Sequence, residues 1–276
     1  MPPAVVAAVL FSALLHAVWN GLLRQSSDRQ WTAVWIGIST FIVCAPLLPL
    51  VGFPSRVWPF VLASSVLHVV YLHLLALAYK ESELSFAYPI ARGSSPMLVA
   101  LGGLLVASER PSPLQTAGIV AIAAGIAAVG LASKHWDKRG FMIAMSIGLV
   151  IAIYTVLDAM GARISGAPLQ YNVCDFSLYG CMILVLQLAR GGLRSLAGPR
   201  KEIALAFGGG ATSAVAYGIV TWAMVRAPMG TVSALRETST LFAAGIGVLL
   251  LKERSSAQKM LGCAGIAAGA ALIGLG

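Results

Sequence analysis

Charged residues are scarce in this chain. They make up 11% of its 276 residues, whereas a soluble domain carries about 25%. Hydrophobic residues make up 58%, and no segment between the apolar runs is long enough to form a soluble domain. The composition therefore predicts an integral membrane protein.

Three further absences narrow the function. The formal net charge is +9, but the basic residues lie in short segments between apolar runs and form no basic patch, which argues against nucleic acid as a partner. The cysteines have no metal-ligand spacing and are expected to be small buried residues: Cys44, Cys174, Cys181 and Cys263. No P-loop, HExxH or GxSxG motif is found, so we expect neither an ATP-driven pump nor an enzyme, and no cofactor.

Long apolar runs dominate the chain. A bilayer core of about 30 Å needs about 20 apolar residues per helix, and ten such runs occur: 3–23, 32–52, 58–79, 86–107, 113–132, 141–161, 170–189, 203–224, 230–251 and 257–275. No basic residue precedes the first run, so we expect it to be a retained helix and not a cleaved signal peptide. Five runs on each side of segment 134–139 predict an all-α membrane protein of two inverted five-helix repeats, residues 1–133 and 140–276.

An internal repeat supports this division. Arg92–Leu131 aligns without a gap with Arg236–Leu275, and roughly sixteen of forty positions are identical. Arg92 meets Arg236, and Ser95 meets Ser239. An arginine inside an apolar segment is costly, so its recurrence predicts a functional site.

The arginine pair predicts the chemistry of the substrate. Guanidinium groups bind carboxylate, phosphate or phosphonate through paired N–H donors. We therefore expect Arg92 and Arg236 to hold an anionic group near the membrane midplane. Glu237 stands where the first half has Gly93, which predicts a role in one half only, as counter-ion, proton carrier or partner of a substrate ammonium.

Two alternatives for the arginines stay open. Structural ion pairs could hold them, Arg236 for example with Glu237 or Asp175, although neighbours in sequence point about 100° apart on a helix, which makes Glu237 a poor direct partner. The arginines could also extend to the membrane interface. In addition, Pro89 and Pro96 should loosen the fourth helix near Arg92.

Other polar residues complete the candidate site. Ser12, His16 and Asn20 are spaced four apart and form one stripe on the first helix. Trp19 and Tyr154 occupy loosely equivalent positions of the two halves, and both join the candidate site. Interhelical hydrogen bonding and cavity lining are equally good interpretations of the stripe.

Three titratable residues are expected to have packing or interface roles. Asp158 is near the end of its helix and is expected at the membrane interface. His68 and His73 do not share a helix face, so we expect packing or interface roles for them.

Helices five and ten are rich in small residues. Ala117, Ala121 and Gly125 lie in one, and Gly265 and Gly269 in the other. Small residues four apart let helices approach closely. This pattern suits a scaffold, or a homodimer formed through helices five and ten within the membrane lipid.

Lysine and arginine are distributed unevenly among the loops. The odd-numbered loops and the residues just beyond them carry Arg24, Arg29, Lys80, Lys134, Lys138, Arg139, Arg190, Arg194, Arg200, Lys201, Lys252, Arg254 and Lys259. The even-numbered loops carry Arg56, Arg110, Arg163 and Arg226. By the positive-inside rule the odd loops are cytoplasmic, so both termini are predicted to be periplasmic in a bacterial inner membrane.

The end of each half resembles a known family. The segments PMLVALGGLLVASERPSPLQTAGIVAIAAGIAAVG and TLFAAGIGVLLLKERSSAQKMLGCAGIAAGAALIG, each with a Glu-Arg pair, are similar to the drug/metabolite transporter superfamily and its EamA-like group. Residues 14–29 resemble a subgroup that accompanies phosphonate utilisation. The resemblance implies that the first four helices of each half surround a cavity, with helices five and ten outside it. It also implies substrate contacts on helices four and nine, here by Arg92 and Arg236.

These observations predict a secondary transporter of a small anionic or zwitterionic metabolite, such as an organophosphonate or an amino acid. A proton gradient, a sodium gradient or exchange could drive it. The alternatives are a broad exporter of amino acids or drugs, a lipid-phosphate flippase, and a membrane partner of an enzyme complex that transports nothing itself.

Overall fold

The computed structural model describes residues 1–24, 26, 28–81, 84–130, 138–249 and 256–276. Within these residues the chain forms α-helices and no strand, which confirms the all-α prediction. The helices are α1 (Pro3–Arg24), α2 (Arg29–Cys44), α3 (Leu48–Val51), α4 (Trp58–Glu81), α5 (Leu84–Ala107), α6 (Pro113–Gly130), α7 (Lys138–Ser165), α8 (Pro168–Gly191), α9 (Arg200–Met224), α10 (Met229–Arg236), α11 (Ser239–Leu249) and α12 (Ala257–Leu275).

The predicted spans follow these helices closely. Eight of them each correspond to one helix, the second combines α2 with α3, and the ninth is divided into α10 and α11. In the described part of the chain, seven helical segments are long and apolar enough to cross a membrane. The apolar stretches of α6 and α12, Pro113–Ala128 and Met260–Leu275, are shorter. The protein is therefore a multi-pass membrane protein, and the count of ten crossings stays a prediction.

Local hydrogen bonds fix where several helices begin. Ser112 and Gln115 form a reciprocal capping box at the start of α6, with N···O distances of 3.1 and 3.2 Å between main chain and side chain. The Asp28 carboxylate accepts the N–H of Trp31 at 3.0 Å and caps α2. These caps satisfy main-chain donors that a membrane environment would leave without water.

Glycines bring α6 and α12 into close antiparallel contact. A Cβ on Gly118 would lie 2.6 Å from the carbonyl oxygen of Gly269, and one on Gly125 would lie 2.7 Å from that of Gly262. In the sequence repeat Gly118 aligns with Gly262 and Gly125 with Gly269, so the two contacts exchange partners as a two-fold axis requires. The small residues therefore serve packing within the chain. A homodimer through the outer faces of these helices stays a prediction.

Other helix contacts show the same exchange between halves. Helix α1 packs on α9, and α7, which occupies the position of α1 in the second half, packs on α4. Helix α2 packs on its counterpart α8, and α5 packs on α10. We infer from these paired contacts that residues 1–133 and 140–276 form the predicted inverted repeats.

The break in the ninth span is the largest departure from regular helix near the arginines. Between α10 and α11 the N–H groups of Glu237 and Thr238 bond to carbonyls three residues earlier, at 2.9 and 3.1 Å. All eight residues of α10 are buried, as irregular backbone at membrane depth requires. Helix α5 continues through Pro89 and Pro96, and a loosening of this helix by the two prolines stays a prediction.

Candidate functional site

A central cavity with a volume of about 110 Å³ lies between the helices of the two halves. The lining residues come from α1, α2, α4, α5, α7, α8, α9 and α10: Ser12, His16, Trp19, Asn20, Ala33, Ile36, Thr40, His68, Tyr71, Leu72, Leu75, Arg92, Tyr154, Phe176, Tyr179, Ser213, Ala216, Tyr217, Val220 and Arg236. Among the described residues, α6 and α12 contribute none, as the family resemblance implies.

Arg92 and Arg236 converge on one carboxylate at this cavity. The Nε of Arg92 lies 2.7 Å from Oε2 of Glu237, and Nη2 of Arg236 lies 3.5 Å from Oε1 of the same side chain. Arg92 is 5%, Arg236 3% and Glu237 0% exposed. The contact between Arg236 and Glu237 is ionic only, since neither Nη2 of Arg236 nor Oε1 of Glu237 makes a hydrogen bond within the described residues, so Glu237 is the poor direct partner that the sequence predicts.

The two guanidinium groups share the buried carboxylate of Glu237. The Nε and Nη2 atoms of Arg236 make no hydrogen bond within the described residues. A buried charge without a full set of partners is costly, so the arrangement favours an additional anionic group at Arg236.

The polar stripe of α1 reaches the cavity. Asn20 donates its side-chain N–H to the carbonyl of His16 at 2.8 Å, and the Trp19 indole donates to Nδ1 of His16 at 3.2 Å. Nε2 of His16 is buried and makes no hydrogen bond within the described residues. Ser12 instead donates to the carbonyl of Ala216 on α9 at 2.7 Å. The stripe therefore combines interhelical bonding with cavity lining.

Aromatic rings form another wall. Tyr154 stacks on His68, with ring centroids 4.1 Å apart, and Phe176 stacks on Tyr217 at 5.4 Å. Tyr179 lies 5.4 Å from His68. Sequence reasoning found only Tyr154 among these residues, since the others carry no regular spacing and lie on different helices.

Three predicted site residues lie outside the lining. Glu237, Ser95 and Ser239 are 0%, 0% and 5% exposed, and the cavity walls formed by the described residues include none of them. A substrate role for them stays a prediction.

Two roles assigned from sequence need correction. Asp158 was expected at the interface, but it is 1% exposed and accepts hydrogen bonds from the hydroxyls of Tyr171, at 3.0 Å, and Tyr217. His68 was expected only to pack, yet it lines the cavity and contacts Asp175. Asp175, proposed as a partner of Arg236, accepts a hydrogen bond from Ser65 at 2.8 Å.

One end of the helix bundle is tied together by Glu109 and Arg163. The Glu109 carboxylate pairs with the Arg163 guanidinium and accepts the N–H of Met229, at the start of α10, at 2.8 Å. Arg163 also donates to the carbonyls of Met224 and Ala227, at 2.8 and 3.1 Å. These contacts join the even-numbered loops that follow α5, α7 and α9.

The opposite end is more open. A second cavity includes Asp28, Gln30, His73 and Arg190 among its walls, and these residues lie beside odd-numbered loops. It shares Ala33, Leu72 and Leu75 with the central cavity. The central cavity therefore adjoins the surface on the side opposite to Glu109 and Arg163.

Comparisons with known proteins agree with this architecture. Residues 138–275, half of the chain, match the model of the EamA-like transporter family. A protein of known crystal structure is similar to the chain with a TM-score of 0.74 and 19% identity, over 99% of this chain and 96% of that one. At this identity the likeness shows the fold alone. No curated protein matches the sequence significantly.

Proposed function

Because the chain belongs to the EamA-like transporter family, we propose that it is a secondary transporter that carries a small anionic or zwitterionic metabolite by alternating access. The observation that carries this proposal is the pair of buried arginines in the cavity wall, Arg92 and Arg236, because Nε and Nη2 of Arg236 make no hydrogen bond within the described residues. A site of this kind attracts an anion and repels a simple cation.

A zwitterion fits the set better than a simple anion. Its anionic group would pair with Arg236, while its ammonium would pair with Glu237 or lie against the ring of Tyr154 or Phe176. A simple anion would compete with Glu237 for the same guanidinium groups. We therefore favour an amino acid or an aminoalkylphosphonate.

The two ends of the bundle support alternating access. Glu109 and Arg163 close one end, and the second cavity adjoins the centre at the other. The Lys/Arg distribution supports a bacterial inner membrane with periplasmic termini. In this orientation the closed end faces the periplasm, and the structure is the state that faces the cytoplasm.

Ligand binding to detergent-purified protein tests the proposal. We would measure melting temperature and titration heat with 2-aminoethylphosphonate, L-alanine, methylphosphonate, acetate and tetraethylammonium. A ligand at 100 times its Kd stabilises the folded protein by about 2.7 kcal/mol. We expect stabilisation by at least one zwitterion, weaker stabilisation by simple anions, and none by tetraethylammonium.

A flux assay with matched variants completes the test. In proteoliposomes, the labelled zwitterion that binds should exchange across the membrane, and Arg236→Ala should abolish exchange. Arg226→Ala is the matched control, because this exposed arginine follows α9, contacts Trp222 at the end of that helix and lies outside the cavity. Binding of the cation alone would overturn the anionic substrate. Movement of fluorescent phospholipid without solute exchange would favour a flippase.

A further inference from the structure

A second group of titratable side chains lies beside the central cavity, on α4, α7 and α8. His68, Asp158 and Asp175 are 8%, 1% and 1% exposed. One nitrogen of the histidine and one oxygen of each carboxylate lie within 4.8 Å of one another. Charged residues are costly inside a membrane protein, so a buried cluster of three titratable side chains indicates a functional role.

The hydrogen bonds leave one carboxylate oxygen ready to receive a proton. Asp158 accepts the hydroxyls of Tyr171 and Tyr217 on its two oxygens. Oδ1 of Asp175 accepts the Ser65 hydroxyl at 2.8 Å. Oδ2 of Asp175 accepts no hydrogen bond from the described residues and lies 3.7 Å from Nδ1 of His68.

The imidazole of His68 connects this oxygen with the cavity. Its Nδ1 lies 3.0 Å from the Ser64 carbonyl, and a carbonyl can only accept, so Nδ1 carries a hydrogen. The lone pair of the neutral ring is then on Nε2. Because the ring lines the cavity, a proton from cavity water can bind to Nε2.

We propose that His68 and Asp175 form the coupling-proton site of this transporter, an inference that rests on the transport function proposed above. A proton binds to Nε2 of His68, the N–H bond at Nδ1 breaks, and an O–H bond forms at Oδ2 of Asp175. The ring becomes neutral again and the carboxylate loses its charge. Asp158 keeps its two tyrosine hydrogen bonds throughout.

Other titratable and charged groups face this site from the surrounding helices: Cys44 on α2, Tyr154 and Asp158 on α7, Tyr171 and Tyr179 on α8, Tyr217 on α9 and Arg236 on α10. Among them, Tyr217 joins the two sites, since it lines the cavity and donates to Asp158.

A proton fits the cluster better than sodium. Hard cations such as sodium prefer oxygen ligands, and both oxygens of Asp158 already accept hydroxyl hydrogens.

The charge of Asp175 determines whether proton binding strengthens or weakens ligand binding. Protonation of Asp175 removes a negative charge that opposes an anionic group in the cavity. Proton binding and ligand binding therefore strengthen each other, and this effect is reciprocal. We expect proton and substrate to move in the same direction.

Infrared spectroscopy tests the site without a ligand. In full-length protein, transfer from mildly alkaline to mildly acidic buffer should produce a buried carboxylic-acid C=O band, and Asp175→Asn should remove it. Asp28→Asn is the matched control, because this acid is exposed at the start of α2 and its loss should leave the band. Absence of the band from the wild type, or its persistence in Asp175→Asn, would overturn the proposal.

Proteoliposomes test the coupling in sodium-free buffer, with 2-aminoethylphosphonate as the probe and a pH dye inside. The wild type should move protons with the probe and bind it about five-fold or more tightly in acidic buffer. Asp175→Asn should keep probe exchange and lose net proton influx. If this variant does not fold, His68→Gln should lose net proton influx, and proton influx retained in it would overturn the relay.

The outcomes separate the two proposals. Probe exchange without proton movement in the wild type, or a requirement for sodium, would overturn proton coupling and leave transport standing. Failure of the wild type to exchange the probe would count against the proposed substrate, while the infrared band would still decide whether Asp175 takes up a proton.

Discussion

The Nε atom of Arg92 lies 2.7 Å from a carboxylate oxygen of Glu237, the residue that directly follows the repeat counterpart of Arg92. One acidic side chain therefore serves an arginine from each half. In the first half its position is occupied by Gly93, so the symmetric scaffold holds an asymmetric charge set. This asymmetry provides separate places for the two ends of a zwitterion.

Replacement of Glu237 by glutamine should change ligand preference. The variant keeps the shape of the side chain but removes the negative charge that both buried guanidinium groups contact. We expect methylphosphonate to bind about ten-fold more tightly and 2-aminoethylphosphonate to lose its advantage, because charge-assisted hydrogen bonds contribute about 1.5–3 kcal/mol. Titration calorimetry measures both affinities. Unchanged preference would contradict the role of Glu237 as the ammonium partner.

The same variant should be less stable without ligand. Breaking a buried ion pair costs about 3–5 kcal/mol, so thermal unfolding in detergent should shift to lower temperature, and methylphosphonate should restore part of the loss.

Arg92 and Arg236 should respond differently to substitution. Arg92 is in close ionic contact with Glu237, whereas two nitrogens of Arg236 lack hydrogen-bond partners in the described part of the protein. Arg92→Ala should therefore lower the yield of folded protein. Arg236→Ala should give normal yield and weaken binding of an anionic ligand about ten- to a hundred-fold. Yield after size-exclusion chromatography and ligand affinity are the measurements.

Lysine should not replace Arg236 fully. It keeps the charge but lacks the planar pair of donors, so Arg236→Lys should show intermediate affinity. Equal affinity of the lysine variant and the wild type would argue against a bidentate contact with the ligand.

The sequence predicts the helices better than the site. Long apolar runs mark the spans because a membrane protein must satisfy its main-chain polar groups inside each helix. The aligned arginines correctly indicated two buried charges at one place in the fold. The break after Arg236 could not be predicted, since segment 236–240 contains no proline or glycine and packing around buried α10 determines it.

The cluster near His68 was missed for a different reason. Its carboxylates, Asp158 and Asp175, lie on two different helices, and neither shares a sequence spacing with the histidine. Only the packing of α4 against α7 and α8 brings the three residues together. A single acidic residue on each of α7 and α8 was the available signal, and intramembrane acids are by default functional candidates.

Because α6 packs closely on α12, a single methyl group added at their contact should destabilise the protein. In Gly118→Ala the new Cβ would lie 2.6 Å from the Gly269 carbonyl oxygen, and in Gly269→Ala it would lie 2.7 Å from the Gly118 carbonyl oxygen. Backbone atoms cannot easily move away, so each variant should lose about 1–3 kcal/mol of stability. Thermal unfolding in detergent measures the change.

Gly208 provides the matched control for that experiment. It lies within helix α9, and a Cβ there would meet no atom within 4 Å. Gly208→Ala should be neutral or more stable by up to about 1 kcal/mol. The two-fold contact would be contradicted if Gly118→Ala were as stable as Gly208→Ala.

The orientation of the chain can be tested with reporters at the C-terminus. The excess of Lys and Arg in odd-numbered loops predicts that this end is periplasmic. A fused alkaline phosphatase should therefore be active, and a fused green fluorescent protein should not fluoresce. The reverse pattern would invert the membrane sides assigned to both cavities.

The contact between Glu109 and Arg163 should control access from the periplasm. In Arg163→Ala the Glu109 carboxylate loses its ionic partner, and the carbonyls of Met224 and Ala227 lose their donor. Each charge-assisted hydrogen bond contributes about 1.5–3 kcal/mol, so opening at this end should become roughly ten- to a hundred-fold more frequent. A single cysteine at Ser213 in the cavity wall, in a background without the native cysteines, reports this opening.

A membrane-impermeant maleimide added to the periplasmic side of whole cells should label this cysteine slowly when Arg163 is present and much faster in Arg163→Ala. Arg226→Ala is the matched control, because it removes an exposed arginine at the same end, whose guanidinium contacts the ring and the carbonyl of Trp222. Its labelling rate should equal that of the parent. If the parent and both variants were all labelled slowly and at the same rate, the contact between Glu109 and Arg163 would not control access to the cavity. If the parent were already labelled as fast as Arg163→Ala, the open end of the cavity would lie on the periplasmic side.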